Sequence, residues 1–488
     1  MQLAMSTFPM VIQGGMGAGV SNWRLARAVS EIGQLGVVSG TALDVIVARR
    51  LQDGDKGGHV RRALDAFPFP KMAERVWDAY YLVDGRGADR PYKPTPMHNL
   101  HSPRELMELC IVGNFVEVWL ARQGHANPVG INYLEKIQLP HLPSIYGAML
   151  AGVEYVLMGA GIPIRIPGAL DALARHETAT YPLWVTGANA GDDTTLTFEP
   201  RRFMEVDLPP LKRPKFLAIV ASNTLAMTMA KKANGRVDGF VVEGPTAGGH
   251  NAPPRGKQPL SEKGEPVYGV RDAVDLAKLG ELKLPFWLAG GFGTAEKLAE
   301  ALAAGAAGVQ IGTAFAFCEE SGLREDFKQA LLLKVAEGKA AVFTDPNSSP
   351  TGFPFKAAQL ATTNSESSVY MERQRVCDVG HLRELYRLQN GQIGFRCPAE
   401  PVSTFVGKGG TREQTLGKKC LCNCLLANID LAQVRAGYVE RGLVTAGNDL
   451  MELGRLLQDG ATTYRAADVI AAVAPALGRE VCAFSLQP

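Results

Sequence analysis

Apolar residues gather in short runs along this chain, at 9–13, 35–39, 128–133, 153–158, 216–220, 240–242, Phe286–Ala289 and Gly308–Ile311. Runs this short and this rich in valine and leucine read as strands buried on both faces. Between most of them the apolar positions recur at helical spacing, at 23–32, 144–151, 167–175, 224–233, 270–279 and 294–303. Ser21 or Asn22 can cap the first of these helices, and Gly33 ends it. Eight strands alternating with helices predict an α/β fold in which the sheet closes on itself, a (β/α)8 TIM barrel. The rival arrangement, an open doubly wound sheet, wants a fixed glycine spacing after its first strand and an acidic residue about 20 positions later. Here Gly15-Met16-Gly17-Ala18-Gly19 lacks the last spacing, and Ser39 stands where the acid would be.

Two segments interrupt the alternation. Residues 41–127 are rich in charge and aromatics, with helical stretches at 62–66, 71–80 and Arg104–Ala121, and a connection of that length reads as an insertion. Residues 177–210 carry alternating polar and apolar positions, as in Thr194-Thr195-Leu196-Thr197-Phe198, and predict an antiparallel excursion. Beyond 355 the strand–helix rhythm stops. The division expected is therefore a barrel domain over 1–355 and a mainly helical, cysteine-containing C-terminal subdomain over 356–488. Its helices are expected at 425–436, 450–458 and 466–474.

Composition narrows the function classes. The 488 residues exceed one ordinary core, and a net charge of +2 gives no reason to expect nucleic acid or an anionic membrane surface as partner. No apolar run reaches the length of a membrane span, and the N-terminal residues lack the basic start and apolar core of a secretory signal, so a cytoplasmic location is expected. A barrel with a large appendage is also expected to self-associate.

Glycine is where the chemistry gathers. The run 240–242 ends in Glu243-Gly244-Pro245-Thr246-Ala247-Gly248-Gly249-His250. Loops that follow barrel strands open onto the active face, which would present His250 to a substrate. Gly248 and Gly249 would let a flat ligand approach the backbone. A plain glycine-rich turn with a surface histidine is the competing reading of this stretch alone. Glu243 is either functional, as a carboxylate ending a barrel strand, or a brace for the loop. After the seventh and eighth runs come Gly290-Gly291-Phe292-Gly293-Thr294 and Gly312-Thr313. Those two loops are where barrels hold a phosphate, on backbone N–H groups at a helix start, with the Thr313 hydroxyl as a further donor.

Taken together, these stretches resemble the nitronate monooxygenase (2-nitropropane dioxygenase-like) family of FMN barrels. That family shares its pattern with FMN-dependent enoyl reductases, including the reductase component of polyunsaturated-fatty-acid synthases. The matching residues are Val11-Ile12-Gln13-Gly14-Gly15-Met16-Gly17, Val129-Gly130-Ile131-Asn132, the 243–250 loop, Ala289-Gly290-Gly291-Phe292 and Gln310-Ile311-Gly312-Thr313. The resemblance implies FMN, with its phosphate on Gly290, Gly291, Gly312 and Thr313. It implies that Gly15, Met16 and Gly17 lie against the flavin ring, that Asn132 hydrogen-bonds the flavin, and that His250 faces its reactive edge. It also implies a small-molecule substrate and an oxidoreductase. The first reading is oxidation of a nitronate or nitroalkane with O2, and the alternative is reduction of an enoyl thioester with NAD(P)H. The chain departs from the pattern where Gly15, rather than proline, precedes Met16, and in its two insertions.

Five of the eight cysteines, Cys377, Cys397, Cys420, Cys422 and Cys424, fall within 48 residues of the tail. Such clustering raises zinc or an iron–sulfur cluster. The Cys420-Leu421-Cys422-Asn423-Cys424 spacing is not the usual two-residue one, and buried thiols packing a helical subdomain are the competing reading. No metal is assigned on sequence; the five remain candidates.

Overall fold

A computed structural model describes residues 8–189, 194–256, 259–457 and 460–475. The eight expected strands are present as β1 (Val11–Gln13), β2 (Gly36–Ser39), β3 (Val129–Leu134), β4 (Tyr155–Gly159), β5 (Lys215–Val220), β6 (Gly239–Glu243), β7 (Phe286–Ala289) and β8 (Gly308–Ile311). Each pairs in parallel with its sequence neighbour from β2 to β8, and β8 pairs with β1. Leu35, just before β2, closes the ring: it accepts from Gln13 N at 2.9 Å and donates to Val11 O at 3.1 Å. The barrel is filled by Ile12, Leu35, Val37, Leu157, Leu217, Val241 and Trp287, all essentially without solvent contact. The Trp287 indole N–H donates to Pro9 O at 2.8 Å, so the ring satisfies its one polar group while plugging the core.

Helices between the strands follow the expected spacing closely, at Trp23–Glu31, His141–Leu150, Ile166–Ala174, Asn223–Lys232 and Ala295–Ala303. The first is capped by Asn22, which accepts from Leu25 N. The expected helix at 270–279 is broken into a 3-10 turn, Val270–Asp272, and a short helix, Leu276–Gly280. Asp275 explains the break, since its side chain accepts from Lys278 N and so starts a new helix.

The first insertion holds one helix that its charges hide, Leu43–Gln52, followed by His59–Leu64 and Pro70–Tyr80. Its last helix, Arg104–Ala121, is buried along most of its length and packs on Leu43–Gln52 and His141–Leu150, which makes it the barrel's own second helix. The antiparallel excursion is present as Ala179–Pro182 paired with Thr195–Phe198.

Beyond β8 the chain does not simply become helical. Val342–Asp345 and Phe355–Ala358 form a hairpin across residue 355. Glu384–Arg387 and Ile393–Arg396 form a second, to which Val185–Thr186 of the excursion adds a parallel strand. Between and after them come Ser367–Met371, Val402–Gly407, Leu421–Ala427, a 3-10 stretch Asn448–Leu456, and Ala466–Val473. The helix expected over 425–436 ends at Ala427, because Asn428 turns its side chain onto Leu443 N and O. That expected over 450–458 is 3-10 rather than α, and its last residue lies outside the described ones. Among the described residues no helix is long and apolar enough to cross a membrane.

Candidate functional site

The loops at the C-terminal ends of the strands surround a cavity of about 220 Å³. Every residue singled out from the glycine-rich stretches lines it: Gly15, Met16, Gly17, Asn132, Gly248, Gly249, His250, Gly290, Gly291, Gly312 and Thr313, together with Glu243. Strands β1, β3, β6, β7 and β8 deliver these groups to one place although nearly 300 residues of chain separate the first from the last.

Two positions show why glycine is required. A Cβ on Gly15 would stand 2.4 Å from the Cβ of Asn132, so glycine alone lets the first loop lie against that amide. Gly291 has φ +82° and a Cβ there would meet nothing closer than the Thr246 hydroxyl at 3.8 Å, so the space belongs to the cavity.

The polar groups suit a nucleotide. The short helix Thr313–Ala316 begins at Gly312 with no side-chain cap. Among the described residues the Asn132 side chain has no hydrogen-bond partner, and the buried Gln310 Oε1 has none either. A flavin mononucleotide fits this set: the space over Gly291 and Gly312 and an uncapped helix start for its phosphate, unengaged amides for its ring. Thr313 is placed differently from the expectation. Its hydroxyl accepts from Gly447 N at 2.9 Å and is hydrogen-bonded to Asp449, so the tail holds it. Asp449 itself lines the cavity, and burial pushes its carboxyl above the usual range, which favours the neutral form beside an anion.

His250 sits in a two-residue strand, Gly249–His250, paired with Phe355 and Lys356 of the tail hairpin. Its Nε2 lies 2.7 Å from the Ser349 hydroxyl, and its ring stands edge-on to Phe355 at 4.9 Å. Burial among aromatics lowers its pKa to about 4, so the imidazole is neutral at working pH. Glu243 behaves oppositely. Burial raises its carboxyl to about 7, and among the described residues its carboxylate accepts no hydrogen bond from the loop it was a candidate to brace. Glu243 and His250 also line a second, wider cavity of about 710 Å³, which shares Ala160 and Ile219 with the first. Its wall carries Ile162, Leu183, Trp184 and Phe353, with Lys136, Arg165 and Arg255 among them.

Sequence reasoning did not find the tail's contribution. Asp449, Ala446, Thr445, Cys422 and His381 all line the first cavity. His381 is fixed there by Asp44, whose Oδ1 it meets at 3.2 Å while Oδ2 meets His98 at 2.9 Å. No local pattern announces such contacts, since His381 meets Asp44 across 337 positions of chain.

Residues 205–349, which contain β5 to β8 and their loops, match the model of the nitronate monooxygenase family. A probable nitronate monooxygenase of Bacillus subtilis (strain 168) is 35% identical over 132 residues, which is 26% of this chain and 36% of the relative. A nitronate monooxygenase of Paraburkholderia phytofirmans (strain DSM 17436 / LMG 22146 / PsJN) is 34% identical over 120 residues, 25% of this chain and 31% of the relative. The chain thus spans about a third of the length of the curated relatives it matches. Among solved structures, FabK from Thermotoga maritima is 17% identical and overlays with a TM-score of 0.47, covering 98% of this chain and 95% of that one. Nitroalkane oxidase from Streptomyces ansochromogenes is 16% identical with a TM-score of 0.46, covering 98% of each. The half of the barrel that carries the 243–250 loop and the glycine turns after β7 and β8 is thus similar to the nitronate monooxygenase family.

Proposed function

We propose that this protein is an FMN-dependent oxidoreductase that oxidises a nitronate or nitroalkane with O2. The observation that carries the reading is the meeting of His250 and Glu243 with the glycine turns in one cavity. Gly290, Gly291, Gly312 and the Thr313 backbone would hold the phosphate; Gly15, Met16, Gly17 and Asn132 would hold the ring, with Gly248 and Gly249 giving it room. When bound, the flavin supplies the capacity to take up electrons from substrate and pass them to oxygen.

The residues then divide the remaining work. A carboxyl with a pKa of about 7 is poised to take the acidic α-proton of a nitroalkane near neutrality. The neutral His250 imidazole, oriented by Ser349, is a hydrogen-bond partner for the substrate's nitro or nitronate oxygens. Apolar Phe355, Ile219 and Met16 exclude water from the same space.

Replacing His250 by alanine is expected to slow flavin reduction by propionate 3-nitronate at least about tenfold, read by stopped-flow absorbance. An unchanged rate would remove the residue from the mechanism. Replacing Gly291 by valine fills cavity space and strains a positive φ. It is expected to weaken FMN retention at least about tenfold, measured by titrating apoprotein, with far-ultraviolet circular dichroism unchanged.

The wider cavity favours a second reading, reduction of an enoyl thioester by NAD(P)H. Its about 710 Å³ far exceeds what a small nitroalkane fills, and its three cations suit an acidic carrier or phosphate. Rapid flavin reduction on mixing with NADPH, with none by a nitronate, would select this reading over the first.

A further inference from the structure

Four of the five clustered cysteines converge on one point, away from the 243–250 loop. Cys377 follows the helix Ser367–Met371, Cys397 follows the strand Ile393–Arg396, and Cys420 and Cys422 flank the start of the helix Leu421–Ala427. Their side chains pack on one another and surround a single small cavity. Cys424, their neighbour in sequence, faces elsewhere and accepts from Asn364 Nδ2 at 3.2 Å. Chain connectivity alone would have kept Cys424 with them; the fold separates it.

Polar groups are turned toward these sulfurs. The Ala399 amide is directed at the Cys397 sulfur and the Leu382 amide at that of Cys422. Asn423 Nδ2 approaches Cys420 Sγ at 3.5 Å. The Arg383 guanidinium stands beside Cys377, Cys397 and Cys422, and the neighbouring Glu400 carboxylate is paired with Lys408 at 2.8 Å. N–H groups and a cation turned toward sulfur stabilise negative charge on it, and such contacts to ligand sulfurs are what tunes iron–sulfur centres. Pro398 directly after Cys397 repeats the cysteine–proline pair found at cluster ligands.

Spacing distinguishes one ion from a cluster. Tetrahedral zinc with Zn–S of about 2.3 Å sets its sulfurs about 3.8 Å apart. Among the described residues only Asp44, His98 and Cys110 bring three ligand atoms all within 4.8 Å of one another, so no three of these four sulfurs do. The four thiols are gathered, yet held wider than a single ion would draw them. A four-iron cube, with a sulfur on each corner iron, needs that wider frame.

We propose that Cys377, Cys397, Cys420 and Cys422 ligate a four-iron iron–sulfur cluster. Cys422 and Leu382 belong to the walls of both this site and the main cavity, so the cluster lies one layer of side chains from the flavin-type site. The assignment stands whether or not that cavity binds a flavin, because none of its four ligands is needed there.

The test uses the full chain, expressed with added iron and purified without oxygen, then incubated with ferrous iron and sulfide and desalted. About four irons and about four acid-labile sulfides per chain are expected, with a low-temperature electron paramagnetic resonance signal that appears on dithionite reduction. Less than about 0.5 iron per chain, or one zinc without sulfide, overturns the proposal. Cys397→Ser is expected to lose at least half the iron and Cys424→Ser to keep it; equal loss in both would overturn the ligand assignment. Should either variant fail to fold, the wild-type iron and sulfide content decides alone.

Discussion

Glu243→Gln is expected to slow turnover about 10²-fold or more and to flatten the rate–pH profile around neutrality. Burial at the end of β6 raises this carboxyl to about 7, and no cation or N–H donor offsets it. Below that value the group is protonated and cannot accept a proton, so kcat/KM for a neutral nitroalkane should rise with pH through about 7 and then level. Glutamine keeps the shape and removes the titration. The sign for stability is the reverse of the usual carboxylate case. A pKa raised in the folded state means that folding takes up a proton between the ordinary value of 4.5 and about 7. This contribution favours the fold at low pH and is lost as pH rises through that window, so Glu243→Gln should be more resistant to urea than the wild type at pH 8. A nitronate, already deprotonated, bypasses the step; its oxidation should be far less affected by the substitution. Equal loss on nitroalkane and nitronate would show that Glu243 does not handle the α-proton.

Arg373→Met is expected to destabilise the tail by about 3–5 kcal/mol. Arg373 holds Glu440 through two parallel hydrogen bonds, Nε to Oε1 at 2.6 Å and Nη2 to Oε2 at 2.7 Å, and neither side chain reaches solvent. Methionine fills similar volume but strands the carboxylate, with only Arg435 at 3.3 Å remaining beside it. Because a chain of this size need not unfold in one step, the measurement is hydrogen exchange across 360–445 rather than a single melting temperature. Protection there should fall while that of β1 to β8 is retained. Unaltered exchange would mean that the pair contributes nothing net.

The barrel was legible because its signal is local and repeated. Valine-rich runs such as Phe240-Val241-Val242 can only be buried strands, and each glycine turn announces the strand end it follows. The convergence of His250 with Gly290 and Gly312 followed from the barrel itself, which sends every such loop to one face. The tail was read less well. Asn428 stops a helix through a contact fifteen residues on, and Asp449 enters the cavity through a bond to Thr313, which is 136 positions before it. Helix Leu43–Gln52 was missed because Arg49 and Arg50 break its apolar stripe, yet Arg49 is buried, donating to Leu431 O at 2.5 Å. The cysteines were visible as a cluster, but which four belong together depends on the hairpin 384–396, whose partner strand lies two hundred residues earlier.

The tail fastens the loops that follow β6, β7 and β8 from outside. Gly447 N reaches Thr313 and Asn448 N reaches Thr246 O, while Arg455 holds Gly293 O. Anyone trimming this protein to a minimal catalyst therefore faces a constraint. A fragment ending near residue 355 would retain every strand of the ring yet leave its rim unlaced, and supplying 356–475 as a separate polypeptide should restore ligand retention in trans.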